Sequence, residues 1–196
     1  MDRIFVLIAN KAVTSKFNLN DLAGSAGRMD IVCRFISQSL FISHGIRRNV
    51  AVYVVLKGPP DPCKTLKISG NEVRYLSPDE RNIAGMINKA LSAEVDREWN
   101  KVSHGVYISR MDLASLLERI GNRNIYYLKE SGEDISGMKI SSPAFIIGDH
   151  MGLTKEDEEI VAGKVEKTIS LGEMSYQADQ CVTILNYLID RGWVKC

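Results

Sequence analysis

Apolar residues fall along this chain in two rhythms. Unbroken runs rich in Ile, Val and Phe occupy residues 3–9 and 50–56, as buried strands do. Residues 29–42 instead space Ile31, Phe35, Ile36 and Leu40 as one face of a helix. Asp30 falls in the first turn of that helix, where its dipole favours a carboxylate. Residues 10–27 are polar, contain Gly24 and Gly27, and read as a long loop. After the second run, Gly58-Pro59-Pro60-Asp61-Pro62 is a break. Residues 65–69 and 72–76 alternate around Gly70-Asn71, which predicts a hairpin. Ser77-Pro78-Asp79-Glu80 predicts a capping box, with a helix running to about Leu91.

The second half repeats strand and helix. Strands are predicted over 105–109, 124–128, 144–147 and 168–171. Helices are predicted over 111–120, ended by Gly121, over 155–162 behind Thr154, and over 175–191 behind Ser175, with Gly192 after its end. This alternation predicts an α/β fold: a mostly parallel sheet with helices on both faces. No linker and no internal repeat divides the chain, so residues 1–196 read as a single domain.

Composition narrows the function. No apolar run reaches the ~18 residues of a membrane span, and the stretch 4–9 is too short for a signal peptide. Cys33, Cys63, Cys181 and Cys196 form no CxxC pair, which points to no metal centre and to a reducing cytoplasm. Net charge is only +1, but it is uneven: residues 1–139 sum to +5 and residues 140–196 to −4. A polyanion would therefore meet the first part.

Three predicted strand ends share one character: Leu128-Lys129-Glu130-Ser131-Gly132, Gly148-Asp149-His150-Met151-Gly152-Leu153 and Leu171-Gly172-Glu173-Met174-Ser175-Tyr176. Ligands bind beyond the carboxyl ends of strands in open parallel sheets, and glycines let backbone approach them closely. The phosphate loops GxxxxGK[ST] and GxGxxG are missing, and so is a G-x-S-x-G elbow. The histidines are His44, His104 and His150, of which His150 lies in one of these turns. Cys181 sits on a helix face continued by Leu185, as a small buried hydrophobe does.

The stretches Ile147–Leu153, Ser170-Leu171-Gly172 and Tyr176–Leu188 resemble the C-terminal half of the SPOUT RNA methyltransferases. Ile8-Ala9-Asn10, Gly27–Arg34 and Ser77–Gly85 extend the likeness, in order, over nearly the whole chain. Within that superfamily it is similar to the archaeal enzymes acting on N1 of pseudouridine in the tRNA T-loop, at position 54. The resemblance implies a C-terminal deep trefoil knot, a homodimer and S-adenosylmethionine as cofactor. It implies a cofactor pocket built from Leu128, Gly148, Leu171, Gly172, Glu173, Met174, Ser175, Tyr176 and Cys181. Asp30, between Arg28 and Arg34, becomes the candidate catalytic carboxylate, facing the proton that N1 must lose. Arg28 and Arg34 become RNA contacts, since a guanidinium forks onto phosphate oxygens. Arg47, Arg48, Lys64, Lys67, Arg74 and Arg81 extend that track. The alternatives are a pseudouridine in small-subunit ribosomal RNA, and a non-catalytic RNA-binding assembly factor. No long insertion of the kind that would hold ribosomal RNA is evident, which favours tRNA.

Overall fold

The structure is a computed structural model that describes residues 2–194; Cys196 lies outside the described residues. In chain order the elements are β1 (Arg3–Ala9), α1 (Met29–Leu40), β2 (Phe41–Ile42), β3 (Gly45–Ile46), β4 (Val50–Leu56), β5 (Lys64–Ser69) and α2 (Glu80–Leu91). There follow β6 (Asn100–Ser103), β7 (Val106–Ser109), α3 (Leu113–Ile120), β8 (Asn124–Asp134), β9 (Pro143–Gly148), α4 (Lys155–Ala162), β10 (Val165–Ser170) and α5 (Ala178–Asp190).

Eight strands form one sheet in the order β10-β8-β9-β1-β4-β5-β7-β6. The first five are parallel. The last three extend the sheet antiparallel. Successive side chains of a strand point to opposite faces, and β1 shows the result. Phe5 and Leu7 join a core with Ile36, Val182 and Leu185, under α1 and α5. Ile4, Val6 and Ile8 join a second core with Leu116, Leu117 and Val161, under α3 and α4. Burial on both faces is why the first run is uniformly apolar.

The structure corrects several expected boundaries. Helix α1 stops at Leu40, and Phe41–Ile42 pair with Gly45–Ile46 in a short ribbon. Residues 72–76 form no strand, because both edges of β5 are taken by β4 and β7. The chain there turns through Tyr75, at φ +60° and 94% exposed. Helix α2 is capped by Asp79 rather than Ser77: its carboxylate accepts the Asn82 amide at 2.8 Å. Helix α5 begins at Ala178, not at Ser175, whose hydroxyl donates instead to Glu130 at 2.6 Å. The polar strand β6 escaped the apolar pattern altogether.

Strand β8 runs past its predicted end. Thr168 of β10 pairs with Tyr127, yet the next residue, Ile169, pairs with Glu133. Residues 128–132 therefore stand out of register with β10. That excursion brings Leu128, Lys129 and Glu130 to the ligand end of the sheet.

Candidate active site

A cleft of about 560 Å³ opens at the carboxyl ends of β8, β9 and β10. Its walls are the excursion of β8, the turn after β9, the turn after β10 and the start of α5. Of the sequence candidates, Leu128, Gly148, Leu171, Gly172, Met174, Ser175, Tyr176 and Cys181 line it. Glu173 does not; it lies exposed among them.

Two glycines shape the walls. A Cβ on Gly148 would stand 2.6 Å from the Gly152 Cα, so the turn after β9 closes only without a side chain there. Gly172 has φ +107°, a conformation L side chains rarely adopt, and a Cβ there would point into open space. Cys181 is buried and its thiol donates to the Tyr176 carbonyl at 3.6 Å. Burial pushes that thiol up to about 12, so it is neutral at physiological pH and serves as wall rather than nucleophile.

Polar groups cross-brace the cleft. Asn10, just after β1, donates its backbone amide and its side-chain amide to Asp149 at 2.7 and 2.9 Å. The same side-chain nitrogen donates to the Gly152 carbonyl at 2.8 Å. Glu158 of α4 accepts from the Tyr127 hydroxyl at 3.0 Å and from Lys129 at 2.6 Å. The Ser175 hydroxyl holds the Glu130 carboxyl below its usual range.

Arg28 and Ile31 bring the start of α1 to the same cleft. Arg28 is left-handed (φ 67°), and its fork binds Asp30 through Nε and Nη2 at 3.0 Å each. Arg34 Nη2 adds a third bond to Asp30 at 3.0 Å. Arg34 also reaches Glu80 of α2 at 3.4 Å and Asp179 of α5 at 3.8 Å, joining three helices. Asp30 is only 8% exposed. Burial alone would push its carboxyl up; the two guanidiniums outweigh burial and hold it below the usual range.

The other candidate cations scatter. Arg47 pairs with Asp190 at 2.6 Å, as does Arg3 at 2.7 Å, so it clasps the far end of α5. Arg48 donates to the Gly70 and Val73 carbonyls. Lys64 is buried and donates to the Thr14 carbonyl at 2.8 Å. Arg81 is exposed and bonds Asn20, and Arg74 is exposed. Only Arg28 and Arg34 meet Asp30.

A family model described as "Putative SAM-dependent RNA methyltransferase" matches residues 2–193. The chain belongs to this methyltransferase family. It is 45% identical over 192 residues to a tRNA (pseudouridine(54)-N(1))-methyltransferase of Methanosarcina acetivorans, covering 96% of this chain and 91% of the relative. It is 44% identical to the protein of that name in Methanocaldococcus jannaschii, covering 96% and 97%. Its fold resembles that of Archaeoglobus fulgidus Nep1 bound to S-adenosylhomocysteine, with TM-score 0.66, 16% identity, and 97% and 98% of the two chains covered.

The cleft of this methyltransferase fits S-adenosylmethionine. Leu128, Ile147, Leu171 and Met174 offer apolar wall for a ring, and the turns at Gly148 and Gly172 leave room for close backbone approach. Lys129 of the cleft is paired with Glu158, and Arg28 turns its Nε and Nη2 edge to Asp30, so no free cation stands over the adenosine walls, which suits an adenosine without phosphates. Among the described residues no group of three or more His, Cys, Asp or Glu could hold a metal ion, and no helix is long and apolar enough to cross a membrane.

Sequence reasoning had passed over the Asn10–Asp149 brace and Glu158. Asn10 and Asp149 are 139 positions apart, and only their shared place at the ends of neighbouring strands unites them. One local signal existed: an acid directly after a strand-ending glycine.

Proposed function

We propose that this methyltransferase methylates N1 of pseudouridine 54 in the tRNA T-loop. One observation carries the reading: Arg28 and Ile31 line the same cleft as Gly148, Leu171 and Gly172. A carboxylate forked by two arginines thus stands beside a pocket shaped for adenosine. Relatives 44–45% identical over nearly the whole chain bear the name of this activity.

Bound in the cleft, S-adenosylmethionine supplies an activated methyl carbon. The turns after β9 and β10 and the Cys181 face of α5 hold the adenosine, and the Asn10–Asp149 brace keeps the first turn in place. Holding both reactants in line is the main rate advantage such a site offers. Asp30 accepts the N1–H hydrogen bond and favours charge build-up on the departing proton's nitrogen. Its lowered range keeps it ionised, so it can take the N1 proton as the new N–C bond forms and the methyl–sulfur bond breaks, and then release that proton to solvent. The outer edges of Arg28 and Arg34 grip phosphates beside the target.

The same reading takes the chain as one cytoplasmic domain with a knotted C-terminus. Strand β10 lies at the sheet edge, whereas α5, next in sequence, packs on α1 across β8 and β9. Asn186 of α5 donates to the Gln38 carbonyl at 3.2 Å. A chain that turns inward from the edge in this way supports the trefoil. Half-exposed Tyr187 and Trp193, packed edge-on at 5.5 Å near the end of α5, support a homodimer surface there.

The test is calorimetric titration with S-adenosylmethionine, then methyl transfer to T-loop hairpins with pseudouridine or uridine at the target. Transfer to the pseudouridine hairpin alone is expected, because the matching nitrogen of uridine carries the sugar. Binding without transfer to either hairpin would overturn the substrate, and no binding by folded protein would overturn the enzyme.

A further inference from the structure

On the antiparallel half of the sheet, one face is polar: Thr65, Ser69 and Ser109 are buried on it, Lys67 and Tyr107 are half-buried, and Lys101 is exposed. The core under α3 and α4 takes its strand residues from β8, β9, β1 and β4, and none from β5, β7 or β6. On that face the register sets four residues side by side across four strands: Tyr53 opposite Lys67, Lys67 opposite Tyr107, and Tyr107 opposite Lys101. Trp99 lies over the row, with its ring 5.9 Å from Tyr53.

The row alternates ring and cation. Lys67 Nζ stands 5.1 Å from the Tyr107 ring centroid and 5.8 Å from that of Trp99. Lys101 Nζ stands 6.0 Å from the Tyr107 centroid. Among the described residues neither lysine has a carboxylate within ion-pair distance. Glu98 pairs with Arg119, while Glu72 accepts from the Tyr107 hydroxyl and keeps its negative charge at the rim of the row. An ammonium over a ring keeps its charge and leaves its outward N–H groups free to bind an anion. The rings fix where those charges stand without neutralising them.

We propose that this face is a second RNA-docking surface, on which Lys67 and Lys101 hold substrate phosphates outside the methylated loop. It rests on the tRNA reading above. Strands stand about 4.8 Å apart, so β7, with Tyr107, lies roughly 19 Å across the sheet from β9. That span reaches past a single loop and onto the body of a folded RNA. Phosphates are the fitting occupant because neither ammonium has an ion-pair partner among the described residues, and a phosphate contact needs no base-specific geometry.

The experiment uses Lys67→Gln combined with Lys101→Gln, which keeps the stems over the rings. Binding of whole tRNA and of the T-arm hairpin is measured across a salt series. For whole tRNA, affinity is expected to drop about ten-fold and the log–log salt slope to fall by about 2, one for each lost contact. Hairpin binding and S-adenosylmethionine binding stay unchanged. Lys67→Arg with Lys101→Arg restores whole-tRNA affinity. Unchanged whole-tRNA affinity and slope, or an equal loss on the hairpin, would overturn the second surface. Wild-type methylation of the hairpin is scored separately, so a wrong substrate is told apart from a wrong docking face.

Discussion

Asp30 is ionised because two guanidiniums hold it, and this has two consequences. Its carboxyl is depressed in the fold, so its pairing contributes stability above the ordinary carboxylate range and loses it as pH falls through the lowered value. The same ionisation persists through the working range, so Asp30 adds no acid limb to the methylation rate between about pH 5 and pH 8. A pH–rate profile checks this; an acid limb centred there would assign the step to another group. Asp30→Asn is expected to slow transfer about 100-fold with cofactor affinity intact, and wild-type turnover in this variant would remove Asp30 from the chemistry. At the opposite wall, Gly172→Val adds a branched side chain to a cleft-lining residue held at φ +107°. It is expected to abolish cofactor binding while folding loses about 1–3 kcal/mol; calorimetry alongside thermal melting separates the two. Unaltered cofactor affinity would place the adenosine elsewhere.

Among the elements, α4 shows what a cap does when it is also a brace. Thr154 and Asp157 satisfy each other's ends, and buried Asp157 takes Lys57 at 2.6 Å from the end of β4. Asp157→Ala breaks both and leaves the ammonium with little water. It is expected to cost about 3 kcal/mol, near 10 °C in melting temperature for a chain of this size; a shift under 2 °C would show Lys57 fully rehydrated. Element type was readable wherever a local signal was strong: the apolar run of β1, the helical spacing of α1 and the Thr154 cap of α4. It failed where a remote partner decided. Nothing in 65–76 reveals that β7 takes the edge of β5, and Ser175 looks like a cap until Glu130 claims its hydroxyl. The cleft itself was largely visible as three glycine-bearing strand ends. Its braces were not, since Asn10–Asp149 and Tyr127–Glu158 join residues that only the folded sheet brings together.

For the whole molecule, alternating strands and helices implied a parallel sheet, and the sheet is parallel from β10 to β4. The last three strands then pair antiparallel, each with its neighbour, a mixture that apolar runs alone do not encode. The threading proposed for the C-terminal part is equally silent in any periodicity, because a knot would leave local spacing unchanged. The proposed pairing of two copies is tested by Trp193→Glu, which sets a charge beside Tyr187. Sedimentation is expected to give a dimer for the wild type and a monomer for the variant; a monomeric wild type would end that proposal. Helix α5 then has a double allegiance. Cys181 near its start walls the cleft, while Asp190 at its end is clasped by Arg3 and Arg47, next to Tyr187 and Trp193. In the proposed dimer one rod would serve two equilibria, and thermodynamic reciprocity would follow. Whatever factor the cofactor gains from assembly, assembly gains from the cofactor. The cofactor's dissociation constant above and below the dimer threshold, and the dimer's with and without cofactor, must shift by that single factor; a factor of one would mean the rod transmits nothing.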